Sequence, residues 1–168
     1  MVLGLSIQNF TLLHVVISLI AIASGFVVVL AMLRANPSPG WIALFLLTTA
    51  LTTVTGFLFP ITTFTPALGV GMLSSVILIV ALYALYAKKF DGAWRWIYVV
   101  TAISAFYLNA FVLVVQAFLK VPGLNALAPN GSEPPFLIAQ ALVLGAFVVV
   151  GVLAVMRFRP LLGRSALT

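Results

Sequence analysis

Polar side chains interrupt the long apolar stretches of this 168-residue sequence, and the types of seven of them limit the chemistry that a site in the chain could perform. One is His14, the only histidine, whose imidazole titrates near neutral pH and can contact a ligand, accept a proton or bind a haem iron. The others carry amides or hydroxyls, which form hydrogen bonds but do not titrate near neutrality. The seven candidate ligand-binding residues are His14, Ser18, Thr52, Thr55, Asn109, Gln116 and Gln140.

The spacing of these residues places several of them on shared helix faces. Asn109 and Gln116 are seven residues apart, about two helical turns, and therefore face the same way. His14 and Ser18 are four apart and also share a face. Polar groups are expensive in hydrocarbon, so such faces indicate either helix–helix contacts or a binding site.

The composition excludes a water-soluble domain. Hydrophobic residues make up 64% of the chain and charged residues 6%, whereas soluble domains are roughly a quarter charged. The net charge is +6, but the basic residues cluster between apolar segments, which indicates membrane topology and not nucleic-acid binding. The absence of cysteine excludes disulfides, thiol catalysis and Cys-type zinc sites.

Five apolar segments are long enough to cross a bilayer, which requires about 20 residues per helix. Proline, glycine and charged residues separate them. We therefore predict an all-α, polytopic integral membrane protein, a five-transmembrane-helix bundle forming one membrane domain over residues 1–168. The predicted spans are 10–33, 41–59, 67–87, 96–119 and 135–156. The alternative is a re-entrant hairpin, because the break at 60–66 is short.

The distribution of basic residues predicts the orientation of the bundle. With five alternating spans, seven of the eight Lys and Arg side chains fall on one side, and Lys120 alone falls on the other. The positive-inside rule then places the N-terminus outside and the C-terminus in the cytoplasm, as in a bacterial inner (plasma) membrane protein. We do not expect the first segment to be a cleaved signal peptide, because no basic residue precedes it and its apolar run continues through Leu33.

Depth in the membrane leads to a hypothesis about a site. With alternating spans, all seven polar residues fall in the outer half of the membrane except Asn109, which lies near the middle. We predict a polar cavity that opens outward and is lined by these seven residues, with Glu133 in a lid over it. The alternative is that each residue bonds to a different neighbouring helix and that no cavity exists.

The remaining inventory is poor in catalytic groups. Asp91 and Glu133 are the only carboxylate side chains, and they are expected on opposite sides of the membrane. No nucleotide-binding, zinc-protease or serine-hydrolase motif occurs. We predict no metal site. A haem held by two histidines of one chain is excluded, and a haem with one histidine ligand has no positive support.

Three functions fit these residues. We expect a non-enzymatic accessory subunit, or a binder of a small amphipathic or lipid-like ligand such as a quinone, isoprenoid or sterol. The first alternative is a small transporter or permeation unit that acts as an oligomer. The second is a membrane redox or lipid-modifying enzyme that uses His14. The expected partners are the lipid bilayer and either further copies of the chain or a larger membrane complex, without nucleic acid.

Overall fold

Five long helices account for most of the chain in the computed structural model, which describes residues 1–60 and 63–158. All five are long and apolar enough to span a membrane, so the prediction of an all-α fold with five candidate membrane spans is confirmed. A short sixth helix, α5, lies between the last two spans. The helices are α1 (Ile7–Leu33), α2 (Pro39–Phe57), α3 (Pro66–Leu82), α4 (Trp94–Lys120), α5 (Pro122–Asn125) and α6 (Pro134–Arg157).

Hydroxyl caps and prolines determine where the spans begin. The side chain of Ser6 accepts a hydrogen bond from the Asn9 backbone N–H at 3.2 Å, and Thr65 caps α3 in the same way. Proline opens α2, α3 and α6, where its missing N–H removes no helical hydrogen bond.

The first helix ends in a Schellman motif built on an alanine. Ala35 has a φ of +53°, the Asn36 N–H donates to the Ala31 carbonyl at 2.9 Å, and the Ala35 N–H donates to Met32 at 3.2 Å. These bonds satisfy carbonyls that the helix end would otherwise leave without partners. The chain then turns back within five residues to begin α2.

The third span changes from an α-helix to a π-helix at its end. α3 continues directly into a π-helical turn, Tyr83–Ala87, so that this span has 22 residues in all. The Lys88 ammonium then lies 5.6 Å from the Tyr83 ring centre and 5.8 Å from the Trp94 ring centre. This aromatic and cationic cluster is typical of a membrane–water interface.

Consecutive membrane spans pack side by side, so each span runs antiparallel to the one before it. This gives the bundle two ends. The Arg95 end carries the connections 34–38 and 88–93 and the end of α6; it also carries Arg34, Lys88, Lys89 and Arg157, whereas Arg159 and Arg164 lie outside the described residues. The Lys120 end carries the start of α1, residues 58–60 and 63–65 and the segment 121–133.

α4 forms the centre of the bundle, because it contacts each of the other four spans. Its Phe106 ring is buried and packs edge-on against one phenylalanine from each of three other helices. The distances between ring centres are 5.1 Å to Phe26 of α1, 6.2 Å to Phe45 of α2 and 4.9 Å to Phe147 of α6. Gly25 of α1 lies directly against the same ring. The apolar core of the bundle is therefore organised around one aromatic side chain of α4.

α6 lies at the edge of the bundle. It packs only against α4 and α1, and Ala154 is its one buried residue. Leu142, Val148 and Met156 are among its widely exposed side chains. In a membrane span, such an apolar face is turned toward lipid or another apolar molecule.

Candidate functional site

His14 is held against α2 by a short hydrogen bond. Its Nδ1 lies 2.7 Å from the Thr55 hydroxyl oxygen, and that hydroxyl also lies 2.7 Å from the Leu51 carbonyl. Both contacts are satisfied together when Thr55 donates to Leu51 and His14 Nδ1–H donates to Thr55. In that arrangement Nε2 carries no proton and is the acceptor that the imidazole presents to its surroundings.

An aromatic and small-residue wall surrounds the imidazole. The Phe59 ring lies edge-on at 5.3 Å from the imidazole centre, and Phe10 packs on Phe59 at 5.0 Å. Gly56 adjoins the ring: a Cβ there would lie 3.8 Å from His14 Cε1, an ordinary van der Waals distance. Ser18, predicted to face the same cavity, donates to the His14 carbonyl at 2.7 Å and so satisfies its hydroxyl within its own helix.

Asn109 bonds to α2 about two turns deeper than His14. Its amide Nδ2 donates to the hydroxyl oxygen of Thr49 at 3.2 Å, and Thr49 is fully buried. Thr49 and Thr55 both belong to α2, so one helix receives the predicted site residues of α1 and of α4. Thr52, also a predicted site residue, lies between them in the sequence, and its hydroxyl oxygen is buried without a partner among the described residues.

The two glutamines have different surroundings. Gln140 Nε2 donates to the Phe111 carbonyl of α4 at 3.2 Å, while its Oε1 is buried without a partner in the part of the chain that the structure describes. Gln116 is exposed and makes no hydrogen bond to any described residue. Gln140 therefore joins α6 to α4, and Gln116 is turned away from the bundle interior.

Glu133, the predicted lid residue, organises its own loop. One carboxylate oxygen accepts from the Asn130 backbone N–H at 3.0 Å and from its side chain at 2.8 Å, and the other accepts from the Ser132 N–H at 3.0 Å. Desolvation raises the pKa of this carboxyl, but the hydrogen bonds together outweigh it and the pKa lies below its ordinary value. The carboxylate thus fixes the turn that precedes α6.

The predicted residues therefore separate into local contacts. His14 with Thr55, and Asn109 with Thr49, lie along α2, whereas Gln140 lies at the α4–α6 seam. No hydrogen bond between described residues connects these three contacts directly. That the seven residues line one outward-opening cavity remains a prediction.

A groove between α4 and α6 was not predicted from the sequence. It has a volume of about 420 Å³ and its walls are almost entirely apolar. Ser104 and Tyr107 are the polar residues of its lining, both are partly exposed, and neither side chain forms a hydrogen bond with a described residue. The remaining lining residues are Val100, Ile103, Leu144, Phe147, Val148, Gly151, Val152, Val155 and Met156.

The sequence carried a weak signal for this groove. Val100, Ser104 and Tyr107 recur at helical spacing on α4, and Leu144, Val148 and Gly151 do so on α6. Apolar residues at this spacing occur on every membrane span, so the pattern alone does not distinguish a groove from ordinary packing.

Arg95 was interpreted only as a topology signal, yet it fastens α6 to α4. Its Nη1 donates to the Val155 carbonyl at 3.1 Å and to the Phe158 carbonyl at 2.7 Å. These carbonyls belong to the end of α6, where the helix leaves acceptors without helical partners and where a positive charge is favourable. Arg95 thus fixes the end of the groove that is nearest to it.

Few metal-ligating side chains lie near one another in the described part of the chain. No three His, Asp or Glu side chains of the described ranges 1–60 and 63–158 lie close enough together to hold a metal ion. The site chemistry is hydrogen bonding by amides and hydroxyls, with one imidazole near the Lys120 end.

The chain matches no protein-family model, and no curated protein or solved structure is significantly similar to it.

Proposed function

We propose that this chain is a non-enzymatic membrane protein that binds a small amphipathic, lipid-like molecule in the groove between α4 and α6. The observation that carries the proposal is that Ser104 and Tyr107, the polar residues of an otherwise apolar groove lining, have no side-chain hydrogen-bond partner among the described residues. A hydroxyl left unpaired away from water costs about 1–3 kcal/mol. A ligand with a polar group at this depth supplies the missing partner.

Four other hydroxyls in the spans show how serine and threonine are ordinarily satisfied. Ser24, Thr48, Ser75 and Thr101 all donate to a carbonyl four residues earlier in their own helix. This is the ordinary way in which Ser and Thr satisfy themselves in membranes. Ser104 has the same option and does not use it, and a tyrosine cannot reach back in this manner.

The dimensions of the groove favour a particular chemical class. Its volume of about 420 Å³ falls within the roughly 300–1,000 Å³ of small-molecule sites. Ser104 lies ten residues from the start of α4, which is about 15 Å along the helix. A neutral ring bearing carbonyl or hydroxyl groups on an apolar body, as in a quinone or a sterol, fits this depth better than a phospholipid, whose polar groups remain at the interface.

We further propose that the Arg95 end faces the cytoplasm, and that the protein resides in a bacterial inner membrane. The clustering of Arg34, Lys88, Lys89 and Arg157 with Arg95 at one end supports this orientation. The groove then opens into the cytoplasmic half of the membrane. The transporter and His14-dependent enzyme hypotheses remain predictions, because no contact of the described residues specifically favours them.

Mass spectrometry of the gently purified protein tests the proposal. We expect a neutral amphipathic molecule, retained in near-stoichiometric amount by the unaltered protein, and a roughly tenfold loss of retention in the double variant Ser104→Ala/Tyr107→Phe, which removes two hydrogen bonds. Thr101→Val is the matched control, because the Thr101 hydroxyl is satisfied on its own helix. Equal retention by the double variant and the control would refute the assignment.

A further inference from the structure

Three threonines form a row along the face of α2 that meets α1 and α4. Thr55, Thr52 and Thr49 are spaced by three residues, so successive Cβ atoms are about 5–6 Å apart. Thr55 holds His14 of α1, and Thr49 holds Asn109 of α4. The row therefore begins near the Lys120 end of the bundle and extends toward the middle of its length.

The middle member of this row is the anomaly. Thr48, Thr53 and Thr55 each donate to the carbonyl four residues earlier on α2, but Thr52 does not. Its hydroxyl oxygen is sealed from the surface and has no partner among the described residues. Thr49 accepts from Asn109, and no described acceptor takes the proton of its own hydroxyl.

We propose that Thr52 binds an ordered water molecule inside the bundle, and that this water connects the His14–Thr55 pair with the Thr49–Asn109 pair. A buried water usually makes about three hydrogen bonds to polar groups that would otherwise lack partners. Thr52 and Thr49 supply two neighbouring hydroxyls, and, in the neutral tautomer in which Nδ1–H donates to Thr55, Nε2 of His14 supplies an acceptor one turn further out. The result is a hydrogen-bonded polar track from the Lys120 end to Asn109.

The track stops at the aromatic core. Phe106 lies one turn of α4 from Asn109 in the direction of the Arg95 end, and it is buried against Phe45 and Gly25. No polar side chain of the described residues continues the hydrogen bonds past this ring. The proposed track therefore lies in the half of the bundle nearer the Lys120 end.

A pair of isosteric substitutions tests the bound water by the sign of their effect. Thr52→Val removes the buried hydroxyl without changing the shape of the side chain. If the oxygen has no partner, the melting temperature rises; if it holds a water, the melting temperature falls, by about 2–4 °C for each bridging interaction lost. Thr48→Val is the control, because Thr48 is also buried on α2 but is bonded to its own helix.

A double-mutant cycle tests whether the water connects the two pairs. Thr52 and Asn109 share no direct hydrogen bond, so a bridging water should couple Thr52→Val to Asn109→Leu more strongly than the control Thr48→Val on the same helix is coupled to Asn109→Leu. We expect clear non-additivity, and we expect Thr52→Ser to behave like the unaltered protein. A rise in melting temperature for Thr52→Val relative to Thr48→Val, or a coupling no stronger than that of the control, would overturn the proposal. Neither result depends on Ser104 or Tyr107, so this proposal and the ligand groove can fail separately.

Discussion

Gly25 of α1 lies against the Phe106 ring of α4. A Cβ at this position would lie 2.7 Å from Phe106 Cδ2 and 3.0 Å from Cγ, so the whole ring would have to move. Because that ring contacts three helices, we expect Gly25→Ala to destabilise the fold by about 1–3 kcal/mol. Unfolding in mixed detergent micelles measures the loss.

Gly145→Ala is the matched control for this substitution. Gly145 also lies within a membrane span, but a Cβ there meets nothing within 4 Å. Replacing a helical glycine by alanine at such a position should be neutral or stabilise by up to about 1 kcal/mol. If the two variants unfold alike, close packing at Phe106 is not what determines the stability of this region.

Glu133 makes the loop before α6 sensitive to acid. The pKa of Glu133 is lowered in the folded protein, so its ionised carboxylate stabilises the folded loop. This stabilisation is fully present above the ordinary glutamate pKa and is lost as the pH falls through the lowered pKa. We expect amide hydrogen exchange in residues 126–134 to accelerate below about pH 4, after correction for the intrinsic rate. Glu133→Gln should give fast exchange at every pH.

The connection 34–38 provides an internal reference for this measurement, because it contains no carboxylate. Its corrected exchange rate should not change over the same pH range. A loop 126–134 that remains protected at pH 3, or a Glu133→Gln variant with the pH profile of the unaltered protein, would contradict the role assigned to the carboxylate.

At the scale of the helices, the position of α6 depends on a side chain of α4. Arg95 donates to two carbonyls at the end of α6, and hydrogen bonds from a charged group contribute about 1.5–3 kcal/mol. We expect Arg95→Met to accelerate hydrogen exchange in residues 150–158 and to weaken ligand retention in the groove that α6 lines. Lys89→Met is the control, because the Lys89 side chain is exposed.

Arg95→Lys separates charge from geometry at this contact. Lysine keeps the favourable charge at the helix end but lacks the planar fork that reaches two carbonyls together. We therefore expect exchange rates between those of the unaltered protein and of Arg95→Met. If Arg95→Met and Lys89→Met exchange at the same rate, the contact does not hold α6 in place.

The helices themselves were predictable, because two physical rules govern them. A bilayer requires about 20 apolar residues, and proline cannot continue a helix, so the predicted start at 135 differs from Pro134 by one residue. The π-helical turn Tyr83–Ala87 and the four-residue α5 were not predicted. Their formation depends on a few local backbone contacts, which leave no periodic pattern in the sequence.

For the molecule as a whole, the candidate site was predicted in its parts but not in its arrangement. Placing the polar side chains of His14 and Asn109 in hydrocarbon costs free energy, so both residues stand out in an apolar sequence. The structure places both against α2. Ser104 and Tyr107 did not stand out, because a sequence does not show which hydroxyls bond to their own helix. The groove they face forms only because α6 packs on one side of α4, which is a property of the assembled bundle.

The orientation of the whole bundle is open to direct measurement, because the chain contains no cysteine of its own. Lys89 at the Arg95 end and Ser132 at the Lys120 end are both exposed, so a single cysteine at either position should leave the fold intact. The basic cluster at the Arg95 end predicts that a membrane-impermeant maleimide labels Ser132→Cys in intact cells, whereas Lys89→Cys reacts only after the membrane is permeabilised. Labelling of Lys89→Cys but not of Ser132→Cys in intact cells would show that the orientation is opposite to the proposed one. The α4–α6 groove would then lie in the outer half of the membrane. Labelling of both positions in intact cells would contradict the alternation of the spans, on which the depths assigned to the groove and to the polar track depend.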